Sequence, residues 1–176
     1  MANDPYIKLA KKTISQFVRT GKISPFPDDL PEEMLSGKAG VFVSLHNKDG
    51  SLRGCIGTFL PTQKNIAKEI IENAIAAAAQ DPRFMPVTET ELPNLVYSVD
   101  ILSEPRPANR QQIDPEKYGL IVSSVDGRKG LLLPDIPGVE SAEQQIEICH
   151  QKAGIGPFEP VQFEIFIVER HENKEV

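Results

Sequence analysis

An α+β fold, with helices flanking an antiparallel or mixed sheet, is predicted by two features of the sequence. Two Asp-Gly pairs, Asp49-Gly50 and Asp126-Gly127, lie between runs of alternating apolar and polar residues, and this pair is typical of tight hairpin turns. Three other segments repeat apolar residues at helical spacing. Hairpins join antiparallel neighbours, and the element order therefore favours α+β over a doubly wound parallel sheet.

Capping residues predict where the helices begin and end. Asp4 before Pro5 predicts the start of the first helix, and Gly21 predicts its end. Thr62 can cap a second helix that runs to about residue 80.

The strands follow from period-two alternation of apolar residues. A capping box of Ser141 and Gln144 predicts a third helix before the last strand, and Gly154 ends this helix. The predicted strands cover residues 39–45, 51–59, 95–102, 118–125, 130–133 and, as one long final strand, 161–168.

Composition excludes several classes of protein. The chain has 176 residues, which fits one domain, and a net charge of −6, which argues against a nucleic-acid-binding surface. Two cysteines and three histidines leave few ways to build a metal site, and no zinc or iron–sulfur spacing occurs. No secretory signal or membrane-length apolar segment is present, so we expect a cytoplasmic protein with reduced thiols and no membrane partner.

The most informative segment is residues 52–57, with the sequence Leu-Arg-Gly-Cys-Ile-Gly. A two-residue hairpin turn places Cys55 opposite Ser44, and Arg53 opposite His46, on one face of the hairpin. The opposite face is apolar and is predicted to be buried, and it consists of Val41, Val43, Leu45, Leu52 and Ile56. A guanidinium two residues from a thiol on that face favours the thiolate, which makes Cys55 a candidate nucleophile. The alternative is structural, with a buried thiol and with Arg53 paired to a carboxylate.

Four further residues are candidates for binding a substrate beside this thiol. Gly54 and Gly57 flank it, and a glycine in a strand often marks close approach of a ligand or of another backbone. Asp81 and Arg83 can form the rim of the same pocket. The alternative again is structural: glycines required by packing, and an ion pair of Asp81 with Arg83 or with Arg53.

The remaining histidines and cysteine are weaker candidates. His46 is at best a diagonal neighbour of Cys55, beyond what a Cys–His dyad needs. Cys149 and His150 are adjacent on a helix and do not share a face, so we expect Cys149 in the core and His150 on the surface.

Residues 52–57 resemble the signature hexapeptide of the AMMECR domain family, the protein A component of the AmmeMemoRadiSam system of archaea and bacteria. The resemblance extends over residues 5–170 and leaves residues 171–176 as a polar tail. Other segments resemble the family in the same order: residues 40–43, 81–88, 91–93, 130–134 and 149–154.

This resemblance implies a single AMMECR-type domain with two unequal lobes, with the signature strand near their junction. It also implies Memo-like and radical S-adenosylmethionine (SAM) proteins as partners, and it names no cofactor. Members of the family are mostly uncharacterised, so the motif positions carry no established role. These positions are Arg53, Gly54, Cys55, Gly57, Asp81 and Arg83.

Two hypotheses follow. In the first, the chain is a thiol-dependent enzyme that uses Cys55 on a small anionic ligand held by arginines. In the second, it is a non-enzymatic binding or scaffold module, whose signature strand is a structural junction between lobes.

Overall fold

Two antiparallel four-stranded sheets, each packed against α-helix, confirm the predicted α+β class. The structure is a computed structural model, and it describes residues 4–23, 25–27 and 29–172. In chain order these residues form α1 (Pro5–Thr20), α2 (Glu32–Ser36), β1 (Gly40–His46), β2 (Leu52–Thr58), α3 (Ile66–Ala79), β3 (Val96–Leu102), β4 (Arg106–Ala108), β5 (Gly119–Ser124), β6 (Lys129–Leu132), α4 (Ala142–Ala153), β7 (Val161–Phe166) and β8 (Val168–Glu172).

The chain divides into two unequal compact units, Met1–Leu102 with Glu169–Val176, and Ser103–Val168. The larger unit contains the sheet β2-β1-β3-β8, and the smaller one contains the sheet β4-β7-β5-β6. Each unit has its own hydrophobic core.

In the larger unit, helices α1 and α3 pack on the sheet. Asp4 caps α1 by accepting hydrogen bonds from two backbone N–H groups, and Gly21 ends it at a φ of 67°, as predicted. The predicted apolar face of the hairpin is confirmed for Val41, Val43 and Leu45, which are fully buried.

The hairpin contains a bulge that the tight-turn prediction does not include. Leu45 pairs with Gly54, whereas His46 pairs with Leu52, so Arg53 has no directly opposite residue. The prediction that His46 faces Arg53 is therefore wrong, and Leu52, predicted on the buried face, is exposed. A bulge adds one unpaired residue to one strand and shifts every partner beyond it.

Helix α3 begins later than predicted. Its cap is Asn65, whose side chain accepts from the Lys68 N–H, rather than Thr62. Thr62 instead donates from its backbone N–H and its hydroxyl to the buried Glu69. Both residues are good N-cap types, and this tertiary contact decides between them.

The smaller unit confirms the second hairpin and the third helix. Gly127 adopts a φ of 90° in the turn between β5 and β6, and Ser141 and Gln144 form the predicted capping box of α4. The predicted strands do not include the short strand β4, which contains Pro107. This strand lies at the edge of its sheet, the position where a strand tolerates proline.

The long final strand predicted over residues 161–168 is instead two strands in different sheets. Strand β7 ends at Phe166, and β8 begins at Val168. Between them, Ile167 exchanges hydrogen bonds with Ser103, accepting one from the Ser103 N–H and donating one to its hydroxyl. Residues 171 and 172 of the predicted tail belong to β8, and residues 173–176 lie outside the described residues.

Candidate functional site

The candidate site lies on β2 in the larger unit, where Cys55 pairs with Ser44 of β1, as predicted. The Ser44 hydroxyl donates to the Cys55 sulfur across 3.1 Å. Opposite residues that exchange no backbone hydrogen bonds are the closest pairs of an antiparallel ladder, about 4.5 Å apart at Cα. The Cys55 thiol is free and half-buried, so it keeps some contact with solvent.

Asp81 and Arg83 occupy the place of a further strand beside β2, which is an edge strand. The Cys55 N–H donates to Asp81 Oδ2 at 2.9 Å, and Arg83 Nη2 donates to the Cys55 carbonyl at 3.2 Å. Arg83 also donates twice to the Asp81 carboxylate, from Nη2 at 2.8 Å and from Nε at 3.0 Å. The pair therefore satisfies the outward peptide groups of Cys55, which a bare edge would leave open to another strand.

The two side chains of the ion pair, Asp81 and Arg83, differ in their exposure to solvent. The Asp81 side chain is 2% exposed and that of Arg83 is 55% exposed. Hydrogen bonds from Arg83, together with the N–H of Cys55, outweigh burial and hold the pKa of Asp81 well below its usual range. The hydrogen bond to Asp81 raises the pKa of Arg83, and the Cys55 thiol adds a smaller contribution. A permanently charged guanidinium thus lies beside the thiol and faces solvent.

Arg53 is held by a different carboxylate. Its guanidinium donates to both oxygens of Glu91, at 2.6 and 3.2 Å, and to the Met85 carbonyl at 3.0 Å. These bonds lower the pKa of Glu91 to about 2, and the Arg53 side chain is only 13% exposed. Among the described residues Arg53 makes no hydrogen bond to Cys55, so Arg83 is the arginine that contacts this residue.

The ring of Phe84 lies near both guanidiniums. Its centroid is 5.9 Å from Arg53 Cζ and 5.5 Å from Arg83 Cζ, which is within reach of cation–π attraction. The loop after α3 is thereby attached to β2 through two arginines.

The two motif glycines are required by packing. A Cβ on Gly54 would lie 2.3 Å from the Ala77 carbonyl oxygen, so α3 approaches the strand at van der Waals distance. A Cβ on Gly57 would lie 2.2 Å from the Phe42 ring. Close approach of another backbone was one of the two predicted reasons for a glycine here, and it is the one observed at Gly54.

The AMMECR1 family model matches residues 7–172. The chain belongs to the AMMECR1 family. An AMMECR1 relative from Thermotoga maritima is 52% identical over 170 residues, which are 95% of this chain and 97% of that protein. A crystal structure of an uncharacterised Pyrococcus horikoshii protein superposes with a TM-score of 0.86 at 32% identity, covering 96% of this chain and 90% of that one.

A longer relative occurs in Clostridium acetobutylicum. It is 50% identical over 169 residues, which are 96% of this AMMECR1 chain but only 36% of that protein. The AMMECR1 sequence is therefore also found as one part of a larger polypeptide.

The sequence does not predict the carboxylate that accepts hydrogen bonds from Arg53. Glu91 lies 38 residues from Arg53 and has no spacing that predicts the pair. The only signal was that Glu91 begins one of the segments that resemble the AMMECR family. Phe84 directly follows Arg83 in the sequence, and nothing in its spacing predicts that its ring also lies near Arg53.

Cys149 and His150, the two adjacent candidates on α4, are both buried in the smaller unit. Cys149 is in the core as predicted, and burial raises its pKa to about 12. His150 was expected on the surface but is buried, because it packs beneath the loop after α4 and contacts the Gly156 carbonyl. Within the described residues, no cluster of His, Cys, Asp and Glu has the arrangement of a metal site, and no helix has the length and hydropathy of a membrane span.

Proposed function

We propose that this AMMECR1 chain acts through the Cys55 thiol on a small ligand whose anionic group is bound by Arg83. The observation that supports this most directly is the half-buried thiol with a hydroxyl 3.1 Å from its sulfur and an exposed guanidinium next to it. The reaction class is thiol nucleophilic catalysis, and the two free cysteines support a cytoplasmic, reducing location.

Each neighbour of Cys55 has a role in this proposal. The Arg83 charge attracts an anion to the position beside the sulfur, and the Ser44 hydroxyl donates a hydrogen bond to the sulfur. Asp81 fixes the Cys55 backbone and orients Arg83 without contacting the ligand. Arg53 is a weaker candidate than Arg83 for binding the ligand. It is a candidate because its buried Nη1 has no hydrogen-bond partner among the described residues.

The test compares a neutral and an anionic alkylating reagent of similar size. Iodoacetamide and iodoacetate are reacted with a Cys149→Ser chain, and labelling of Cys55 is followed by mass spectrometry. Arg83→Gln is expected to slow iodoacetate more than iodoacetamide, by about tenfold, because only iodoacetate interacts with the positive charge. Arg110→Gln, which removes an exposed arginine of the smaller unit, is the control and is expected to leave both rates unchanged.

Two results would reject the proposal, the first for the Cys55 thiol and the second for anion binding by Arg83. One is a Cys55 that neither reagent labels in the folded chain. The other is an Arg83→Gln chain with the same ratio of the two rates as Arg110→Gln.

The second candidate is a non-enzymatic binding module with Memo-like and radical SAM proteins as partners. It is supported by the structural roles found for Arg53, Asp81, Gly54 and Gly57 and by the larger relative, of which this chain matches 36%. A Cys55→Ser chain separates the two candidates in a pull-down with purified Memo-like and radical SAM proteins. Binding that survives this substitution, with no Cys55 labelling in the unsubstituted chain, favours the module.

A further inference from the structure

The smaller unit contains a cleft that is separate from the Cys55 site. Its volume is about 600 Å³, and one face of α4, the loop 155–159 and the start of β7 line it. Small-molecule sites usually have volumes of about 300–1,000 Å³. The apolar part of its wall includes Ile146, Ile155, Val161 and Phe163.

Phe158 stands at this cleft with its side chain in solvent. It is 98% exposed, the largest exposure among the large apolar residues that are described. An aromatic ring beside an apolar cleft can cover a bound ligand, and covering one would remove the ring from water.

A buried imidazole lines the same cleft and has a free acceptor. His150 is 9% exposed, and its Nδ1 lies 3.2 Å from the Gly156 carbonyl. A carbonyl only accepts, so Nδ1 carries the hydrogen and, in the neutral ring, Nε2 carries the lone pair. Nε2 is buried and has no hydrogen-bond partner among the described residues, which is an unfavourable state that a donor from a ligand would relieve.

The charges around the cleft are mainly negative. Three carboxylates and one guanidinium line it, and Glu143 pairs with the guanidinium of Arg110. Glu159 pairs with Arg128. Glu147 accepts only from the Gln151 amide, at 3.3 Å, and no basic side chain of the described residues pairs with it.

Glu147 and His150 are three residues apart on α4, so they lie on the same face of this helix. We propose that this cleft binds a small organic cation, a primary amine with an aromatic or other apolar body. The ammonium group donates to His150 Nε2 and neutralises Glu147. The apolar body packs on Ile146 and Phe163 and is covered by Phe158.

The probes are 2-phenylethylamine and 3-phenylpropionate, which share a phenylethyl body and differ in charge. Each is titrated into the full chain, with calorimetry for the affinity and long-range ¹H–¹⁵N NMR for the His150 ring nitrogens. The amine is expected to bind at one saturable site, to shift the Nε2 resonance, and to bind about tenfold more tightly than the carboxylate.

Two variants at exposed positions test the geometry without disturbing the core. Glu147→Gln is expected to remove the preference for the amine, and Phe158→Ala is expected to weaken both probes by about tenfold. Glu116→Gln, an exposed carboxylate outside the cleft, is the matched control and is expected to change neither affinity.

Three results would overturn the proposal. They are the absence of a saturable shift at His150 with millimolar amine, equal affinity for the two probes, and equal effects of Glu147→Gln and Glu116→Gln.

Discussion

Replacing Asp81 with alanine is expected to destabilise the larger unit by about 3 kcal/mol, as the sum of two contributions. The first is the hydrogen bond from the Cys55 N–H to the buried carboxylate, worth roughly 1.5–3 kcal/mol as a bond to a charged group. The second is the ion pair with Arg83, which contributes less than about 1 kcal/mol because its guanidinium is mostly in solvent.

Urea unfolding followed by circular dichroism measures this loss, since the chain has no tryptophan for fluorescence. Amide hydrogen exchange adds a local measurement, because among the described residues Asp81 is the acceptor of the Cys55 N–H, and this N–H is expected to exchange faster in the variant. Asp29→Ala is the control: it removes a carboxylate from an ion pair with Lys8 in which both side chains are exposed, and a smaller loss of stability than for Asp81→Ala is expected. An Asp81→Ala chain as stable as Asp29→Ala, or unchanged exchange at Cys55, would refute the role of Asp81 at the strand edge.

Three more outcomes are expected. The pKa of Glu91 is lowered from 4.5 to about 2 mainly by hydrogen bonds from Arg53, so the contribution of Glu91 to stability is complete above about pH 4.5 and is lost as the pH falls towards 2. In a plot of melting temperature against pH, Glu91→Gln should flatten this range, and an unchanged plot would contradict the prediction. Gly54→Ala is expected to lower the free energy of unfolding in urea by about 3 kcal/mol, because the added Cβ would meet the Ala77 carbonyl. An unchanged free energy of unfolding would mean that α3 lies farther from β2 than described above. Burial raises the pKa of Cys149 to about 12, so iodoacetamide should leave this thiol unlabelled in the folded chain at mildly alkaline pH. Labelling of Cys149 as fast as that of Cys55 would contradict this prediction.

Local patterns predicted the parts of the fold that local interactions decide. The cap at Asp4, the left-handed Gly21 and the Ser141 capping box each depend on residues within one helical turn, and all three are observed. The pairing of Ser44 with Cys55 was also predicted, and it is observed because two departures from the prediction offset each other. The turn is one residue longer than predicted, with the Asn47 N–H donating to the Ser51 carbonyl, and the bulge at Arg53 restores the predicted register from Leu45 onwards.

The predictions that were wrong or missing depend on contacts that reach beyond one helical turn or one strand. The start of α3 is decided by Glu69, which engages Thr62 and leaves Asn65 as the cap. The pair of Arg53 with Glu91 spans 38 residues, and no periodicity reports such a contact. Alternation in residues 161–168 continues through Ile167, although the chain changes sheets there, because period two describes a strand and not its neighbours.

The change of sheet at Ile167 makes the larger unit discontinuous in sequence. Its strands β3 and β8 are neighbours in one sheet, yet 65 residues separate Leu102 from Val168. The two points where the chain leaves and returns are joined by the hydrogen bonds between Ser103 and Ile167. Residues 103–167 thus have the form of an insertion whose ends meet, so a gene in which a short turn replaces them is expected to encode the remaining sheet as one uninterrupted domain.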